Sequence, residues 1–216
     1  MHYCQACDDP HLMVPRPGVA QCPVCGNADP VAATRPLFVV TGASGSGKTT
    51  LLPLLLDRLA SRCVVFDTDW LIDPLSRAAP DGRYDVLDAW LHVAHGVAQN
   101  GLDTLLLGPW FPPQLDGKPG RAWIGGTHYL VLDCPDDERR RRIEARPRWR
   151  GRDIAQQIEF ARWLRANLAP VVDTAAMTPA GAADTVAEWV LHLRKTASPR
   201  GGWCLRSGRD RDARLA

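Results

Sequence analysis

From Gly42 the chain reads Gly42-Ala43-Ser44-Gly45-Ser46-Gly47-Lys48-Thr49, directly after the apolar run Leu37-Phe38-Val39-Val40. That order predicts a buried strand, a glycine-rich turn, and a lysine and hydroxyls opening a helix. The backbone N–H groups of such a turn wrap around phosphates, and the helix N-terminus adds its partial positive charge. Side chains would block that close approach, hence the glycines. Gly42, Ala43, Ser44, Gly45, Ser46, Gly47, Lys48, Thr49 and Thr50 are therefore the candidate nucleotide-binding set. Lys48 is expected to reach the β- and γ-phosphates as a point charge, and the Thr49 hydroxyl to ligate Mg²⁺.

Beyond this loop, short apolar runs alternate with helical patterns. Strands are expected at Leu37–Val40, Cys63–Phe66, Leu102–Leu107, Tyr129–Leu132 and Val171–Val172. Helices are expected from Lys48 to Ala60, around Val86, Trp90, Val93 and Val97, after Pro135, along Ile154, Ile158, Ala161 and Leu168, and after Thr178-Pro179. Pro53 should loosen the first of these locally. Trp70–Tyr84 reads as irregular or partly helical, and Gly108–Gly126 as a long loop dense in Pro, Gly and Trp. The alternation implies α/β architecture with a five-stranded parallel sheet covered on both faces.

Seven cysteines in a chain with no apolar signal segment argue for a cytoplasmic protein and for metal binding where cysteines are paired by spacing. Cys4-Gln5-Ala6-Cys7 and Cys22-Pro23-Val24-Cys25 are two C-x-x-C pairs fourteen residues apart, with Gly26 supplying a tight turn. Four thiolates satisfy tetrahedral Zn²⁺ and leave no open position, so Cys4, Cys7, Cys22 and Cys25 predict a structural zinc-ribbon-like module. Cys63, Cys134 and Cys204 read as buried small hydrophobes or a tail thiol. The expected organisation is a module over 1–34, an α/β domain over 35–197 and a disordered tail over 198–216.

Net charge is +2, and the tail's five Arg and two Asp account for more than that excess. The remainder is not a nucleic-acid-coating surface. No apolar stretch approaches the roughly 20 residues that span a bilayer. Arginine is concentrated between Arg139 and Arg152, which reads as a local anion site.

The loop is shared by many nucleotide-binding proteins, so other motifs must discriminate. Asn-Lys-x-Asp and Leu-Ser-Gly-Gly are both absent. Asp67-Thr68-Asp69 stands at the C-terminal end of the second strand, the edge at which open α/β sheets bind ligands. Arg142-Ile143-Glu144-Ala145-Arg146 follows the fourth strand. On these three features, from Leu37 to Arg194, the chain resembles small P-loop kinases of the shikimate and gluconate kinase type. It is more distantly similar to nucleoside and nucleotide kinases and chloramphenicol phosphotransferase.

The resemblance implies a P-loop three-layer sandwich using ATP and Mg²⁺ to phosphorylate a hydroxyl or phosphate of a small metabolite, nucleoside or nucleotide. By that similarity Asp67 helps position Mg²⁺ through water, and Asp69 orients or deprotonates the acceptor hydroxyl. Arg142 and Arg146 neutralise charge on the transferring group. Arg139, Arg150 and Arg152 are candidates for adenine stacking or an anionic acceptor, and Thr174–Thr178 should lie near the adenine. Asp67 and Asp69 could instead only cap a turn. Asp133 reads as structural, His92 and His95 as packing or surface residues, and Trp110, Trp123 and Trp149 as either a substrate wall or core.

Two features depart from the family. The cysteine module is not part of the ordinary kinase, and could recruit a protein partner, mediate self-association or cap the fold. Trp70–Gly126, the region that would bind the acceptor, shows no motif matching shikimate, gluconate or a nucleoside. The rival expectation is a zinc-ribbon ATPase acting as a switch on a nucleic-acid or protein partner.

Overall fold

The computed structural model describes residues 4, 6–7, 13–16, 19–30, 35–78, 85–146 and 153–196. Near the N-terminus, β1 (Val14–Arg16), β2 (Val19–Gln21) and β3 (Ala28–Pro30) form an antiparallel sheet in that order. Of the linker expected over 31–36, residues 31–34 lie outside the described residues, as does the tail over 198–216 with Cys204.

From residue 37, strands and helices alternate as the apolar pattern predicts. β4 (Leu37–Thr41) leads through the phosphate loop into α1 (Lys48–Arg58), then β5 (Cys63–Asp67), a 3₁₀ turn at Thr68–Leu71, α2 (Ile72–Ala78) and α3 (Val86–Gln99). β6 (Asp103–Leu107), α4 (Pro112–Asp116), a second 3₁₀ turn at Pro119–Trp123 and β7 (Thr127–Asp133) follow. The chain continues with α5 (Asp136–Glu144), α6 (Ile154–Asn167), β8 (Val171–Asp173) and α7 (Pro179–Thr196). None of the described helices is long and apolar enough to cross a membrane.

Five strands form one parallel sheet in the order β5-β6-β4-β7-β8. Every residue of β4 and β6 is buried, whereas edge strand β5 alternates. Central strands of a parallel sheet are covered on both faces, which is why they read as continuous apolar runs. One face packs Phe38, Val40, Leu105 and Leu132 under α1 and α7. The other packs Val39 and Leu106 with Trp90, Leu91, Trp110 and Leu115 under α3 and α4.

Side-chain caps fix the helix starts. Asp85 accepts from the N–H groups of Leu87 and Asp88, Asp153 from that of Gln156, and the Thr178 hydroxyl from that of Gly181. Buried Asp103 at the start of β6 pairs with Arg35 (2.6 Å) and with Arg194 of α7, tying both ends of the domain to the sheet.

Differences from the expected elements are local. Gly108–Gly126 contains α4 and a 3₁₀ turn, each opened by a proline that needs no N–H partner at a helix start. β7 is longer than Tyr129–Leu132 because neighbouring β4 extends the ladder back to Thr127. α6 buries Leu164 and ends before Leu168. Pro53 sits inside α1, which runs on through it to Arg58.

Candidate active site

The loop between β4 and α1 is shaped by close approach and by handedness. A Cβ on Gly42 would meet the Leu132 carbonyl and the Ser46 Oγ, each at 2.5 Å, so only glycine fits. Gly47, the α1 N-cap, has φ +97° and offers no side-chain cap. The N–H groups of Lys48 and Thr49, at the start of α1, thus receive no side-chain cap and keep their capacity for an anion.

Carbonyls along the loop are each held by a donor. The Lys48 ammonium donates to the Gly42 carbonyl and, at 3.3 Å, to that of Ala43. Arg139 Nη1 donates to the Ser44 carbonyl (2.7 Å) and Arg142 Nη1 to that of Gly45 (3.1 Å). The Thr174 hydroxyl reaches the Ser46 carbonyl at 3.1 Å, and the N–H groups of Thr50 and Leu51 take that of Gly47. Desolvation pulls Lys48 down to about 8, against the nearby Asp69 and Asp67 and together with Arg139 and Arg146.

Arg139 is fully buried and also donates to Asp133 and to the Cys134 carbonyl. The expectation that it stacks on adenine or binds an acceptor is overturned, because no ligand can reach it. Asp133 is structural as expected, and Arg165 approaches its second oxygen at 3.2 Å. Arg142 is equally engaged. Its Nε donates to Glu138 (2.6 Å), and its remaining nitrogens to the Gly45 carbonyl and to the hydroxyl and carbonyl of Thr174. Arg141 and Arg142 together hold the Glu138 carboxyl down to about 2.

Arg146 lines a cavity of about 350 Å³ beside the loop, together with Gly47, Thr50, Arg142, Thr174 and Pro179. Thr174 flanks the loop, and Thr49 is exposed on the first turn of α1. Arg150, Arg152 and Trp149 lie outside the described residues.

Asp67 ends β5 beside Leu107, and its Oδ1 accepts the N–H of Asp69 at 3.0 Å. The turn-capping role and the position at the sheet's ligand-binding edge therefore belong to the same carboxylate. Asp67 is nearly buried and Asp69 exposed, and both raise the Lys48 ammonium. Trp110 and Trp123 are core residues, 5% and 4% exposed, not a substrate wall. His92 bonds the Asp88 carbonyl at 2.9 Å and His95 lies 4.8 Å from the Trp123 ring, so both pack as expected.

Two contacts were invisible in the sequence. Gln157 of α6 accepts the Ser44 N–H at 3.0 Å, and the Trp90 indole Nε1 donates to the Thr68 carbonyl at 3.1 Å. A glutamine or tryptophan on an amphipathic helix carries no signal for such a partner.

At the N-terminal end the sulfurs of Cys4, Cys7, Cys22 and Cys25 all lie within 4.8 Å of one another. Cys4 and Cys25 are 3.5 Å apart, Cys7 and Cys22 3.8 Å. A tetrahedral ion with metal–sulfur bonds of about 2.3 Å sets its sulfurs about 3.8 Å apart, so the cluster fits a closed four-thiolate site. The backbone N–H groups of Cys25 and Val24 hold Cys22 down to about 6, while bonding to Cys25 pushes Cys7 up to about 12.

No protein-family model matches the chain, and no curated protein matches it in sequence. Solved structures do match. A sugar kinase from Janibacter sp. HTCC2649 is 20% identical, over 77% of this chain and 99% of its own, with a TM-score of 0.53. The tunicamycin resistance protein of Deinococcus radiodurans is 17% identical over 73% and 95%, with a TM-score of 0.56. A gluconokinase from Sinorhizobium meliloti 1021 is 16% identical over 74% and 94%, with a TM-score of 0.51. At these identities the likeness is one of fold. The chain has the α/β fold of P-loop kinases, with a four-cysteine cluster joined to its N-terminal end.

Proposed function

We propose that this protein is an ATP- and Mg²⁺-dependent phosphotransferase that moves a γ-phosphoryl group to a hydroxyl or phosphate of a metabolite, nucleoside or nucleotide. The observation that carries the reading is the loop itself, with Lys48 held on its Gly42 and Ala43 carbonyls, Arg146 lining the cavity beside it, and the charges of Asp67 and Asp69 near enough to act on the Lys48 ammonium. The kinase names of two fold neighbours support it.

In this reading the loop N–H groups and Lys48 bind the phosphates, and Thr49 and Asp67 offer the hard oxygen ligands that suit Mg²⁺. Bound there, the ion would supply charge neutralisation between the phosphates. Asp69, the more exposed acid, orients the acceptor hydroxyl and takes its proton. Arg146 stabilises charge on the transferring group, and Arg142 acts through the loop by holding the Gly45 carbonyl. Positioning and electrostatics are most of what phosphoryl transfer asks of a protein.

A panel of candidate acceptors incubated with Mg-ATP tests the reading, with product mass checked for one added phosphoryl group. A product is expected, and Asp69→Asn should lower its rate about 10²–10⁴-fold. ATP bound without consumption of any acceptor would instead make the nucleotide a switch for a partner.

The four-cysteine cluster belongs, in the same reading, to a structural zinc module over 1–34 preceding a kinase domain over 35–197. Metal analysis should find about one zinc per chain, lost in the Cys22→Ser, Cys25→Ser double variant. Freshly purified protein without zinc would refute the assignment.

A further inference from the structure

Cys4, Met13, Ala20 and Cys22 share one buried cluster with Trp123, a residue of the 3₁₀ turn between β6 and β7. The core of the cysteine module is therefore completed by a side chain of the α/β domain. Trp123 also lies 4.8 Å from the ring of His95, on α3. The same 3₁₀ turn is pinned to α3 a second time, where the Gly120 N–H donates to Asp88 Oδ1 at 2.7 Å.

One and a half turns before His95 on that helix, Trp90 is buried and donates its indole N–H to the Thr68 carbonyl at 3.1 Å. Its ring also packs 5.2 Å from Phe66 of β5. Thr68 is the buried residue between Asp67 and Asp69. From the thiolate cluster to the two acids the contacts are thus continuous: the module's core, Trp123, α3, Trp90, then Thr68.

We infer that the cysteine module is a buttress for the acceptor side of the site, with Trp123 and Trp90 as positioning residues for the Asp67–Asp69 turn. The loop's phosphate side is held by other means. Its carbonyls are latched by Arg139 and Arg142 of α5, and α1 packs on α7, on the opposite face of the sheet from α3. Loss of the metal should therefore loosen the acceptor side and spare the nucleotide side. This role rests on the reading of Asp69 as the acid that meets the acceptor, with Asp67 beside it on the same turn, but the coupling itself is physical and is measured without any substrate.

Amide hydrogen exchange of the full chain, read by mass spectrometry, tests it with zinc content followed in parallel. In metal-withdrawn protein and in Trp123→Ala, exchange over Thr68–Leu71 and Val86–Gln99 should quicken roughly tenfold or more, while α1, β4 and α7 keep wild-type protection. Trp123→Phe, which restores an aromatic face, should return most of that protection, and Trp90→Phe should quicken Thr68–Leu71 with zinc fully retained. Should Trp123→Ala fail to fold, metal withdrawal and Trp90→Phe carry the same reading. Faster exchange confined to residues 4–30 would overturn the proposal. So would a uniform loss of protection that includes β4 and α1, since the module would then stabilise the whole domain rather than one side of the site. A failed acceptor screen leaves these exchange rates unaffected, so the two readings fail separately.

Discussion

On the proposed reading, Lys48→Ala is expected to lower phosphoryl transfer by about 10²–10³-fold, the scale set by removing one preorganised charge from a transition state, while leaving the melting temperature near that of the wild type. The reasoning lies in what Lys48 touches. Its ammonium donates to the loop carbonyls of Gly42 and Ala43, and the residue belongs to neither apolar cluster of the sheet. Desolvation already holds it down to about 8, a cost that a bound polyphosphate would offset and an empty loop does not. Removing the group therefore costs much in the complex and little in the free protein. Single-turnover transfer and a thermal melt on the same preparation check it. Unchanged turnover would show that the loop is not the active site, and a collapsed melt would show that Lys48 is structural.

Arg139→Ala has the opposite signature. This guanidinium is fully buried, pairs with Asp133, and donates to the Ser44 carbonyl at 2.7 Å. Truncation leaves a buried carboxylate with only Arg165, 3.2 Å away and a third exposed, and strips the Ser44 carbonyl of its donor. Breaking one side of a buried pair typically costs about 3–5 kcal/mol. For a domain of this size that lowers the melting temperature by about 10 °C. Arg139→Lys should recover little, because one ammonium cannot serve the carboxylate and the carbonyl together as a planar fork does. Melts of both variants decide the matter, and a wild-type melt for Arg139→Ala would mean the pair contributes nothing.

The contrast between these residues shows what the sequence could and could not convey. The loop was legible because its spacing, flanking strand and following helix are all local. Asp67 and Asp69 were legible because a strand end is readable and the sheet edge follows from the fold. The cysteine cluster followed from two C-x-x-C pairs.

The arginines were not legible in the same way. Arg139, Arg142 and Arg146 look alike along the chain, and each lies near the loop. That Arg139 is buried behind it, while Arg142 is latched to Thr174 and lines the cavity with Arg146, depends on how α5 and the residues after it sit against the loop and the turn after β8, and no local pattern fixes that placement. The same holds for Gln157, placed on Ser44 by a contact across 113 residues. Trp123 looked like loop composition because its partners are cysteines a hundred positions earlier.

The carbonyl latches of the phosphate loop have one more consequence. From Gly42 to Gly47 every carbonyl oxygen is taken by a lysine, an arginine, a hydroxyl or an amide of the protein itself. A visitor to the loop therefore meets few free acceptors, while two of the loop's own donors, the Ser44 and Ser46 N–H groups, are engaged by Gln157 and by the Ala43 carbonyl. On the proposed reading, selectivity for anions would rest in part on a residue that no anion touches, the buried Arg139. Drift in α5 or in the turn after β8 could retune phosphate affinity while every residue of the loop stayed the same.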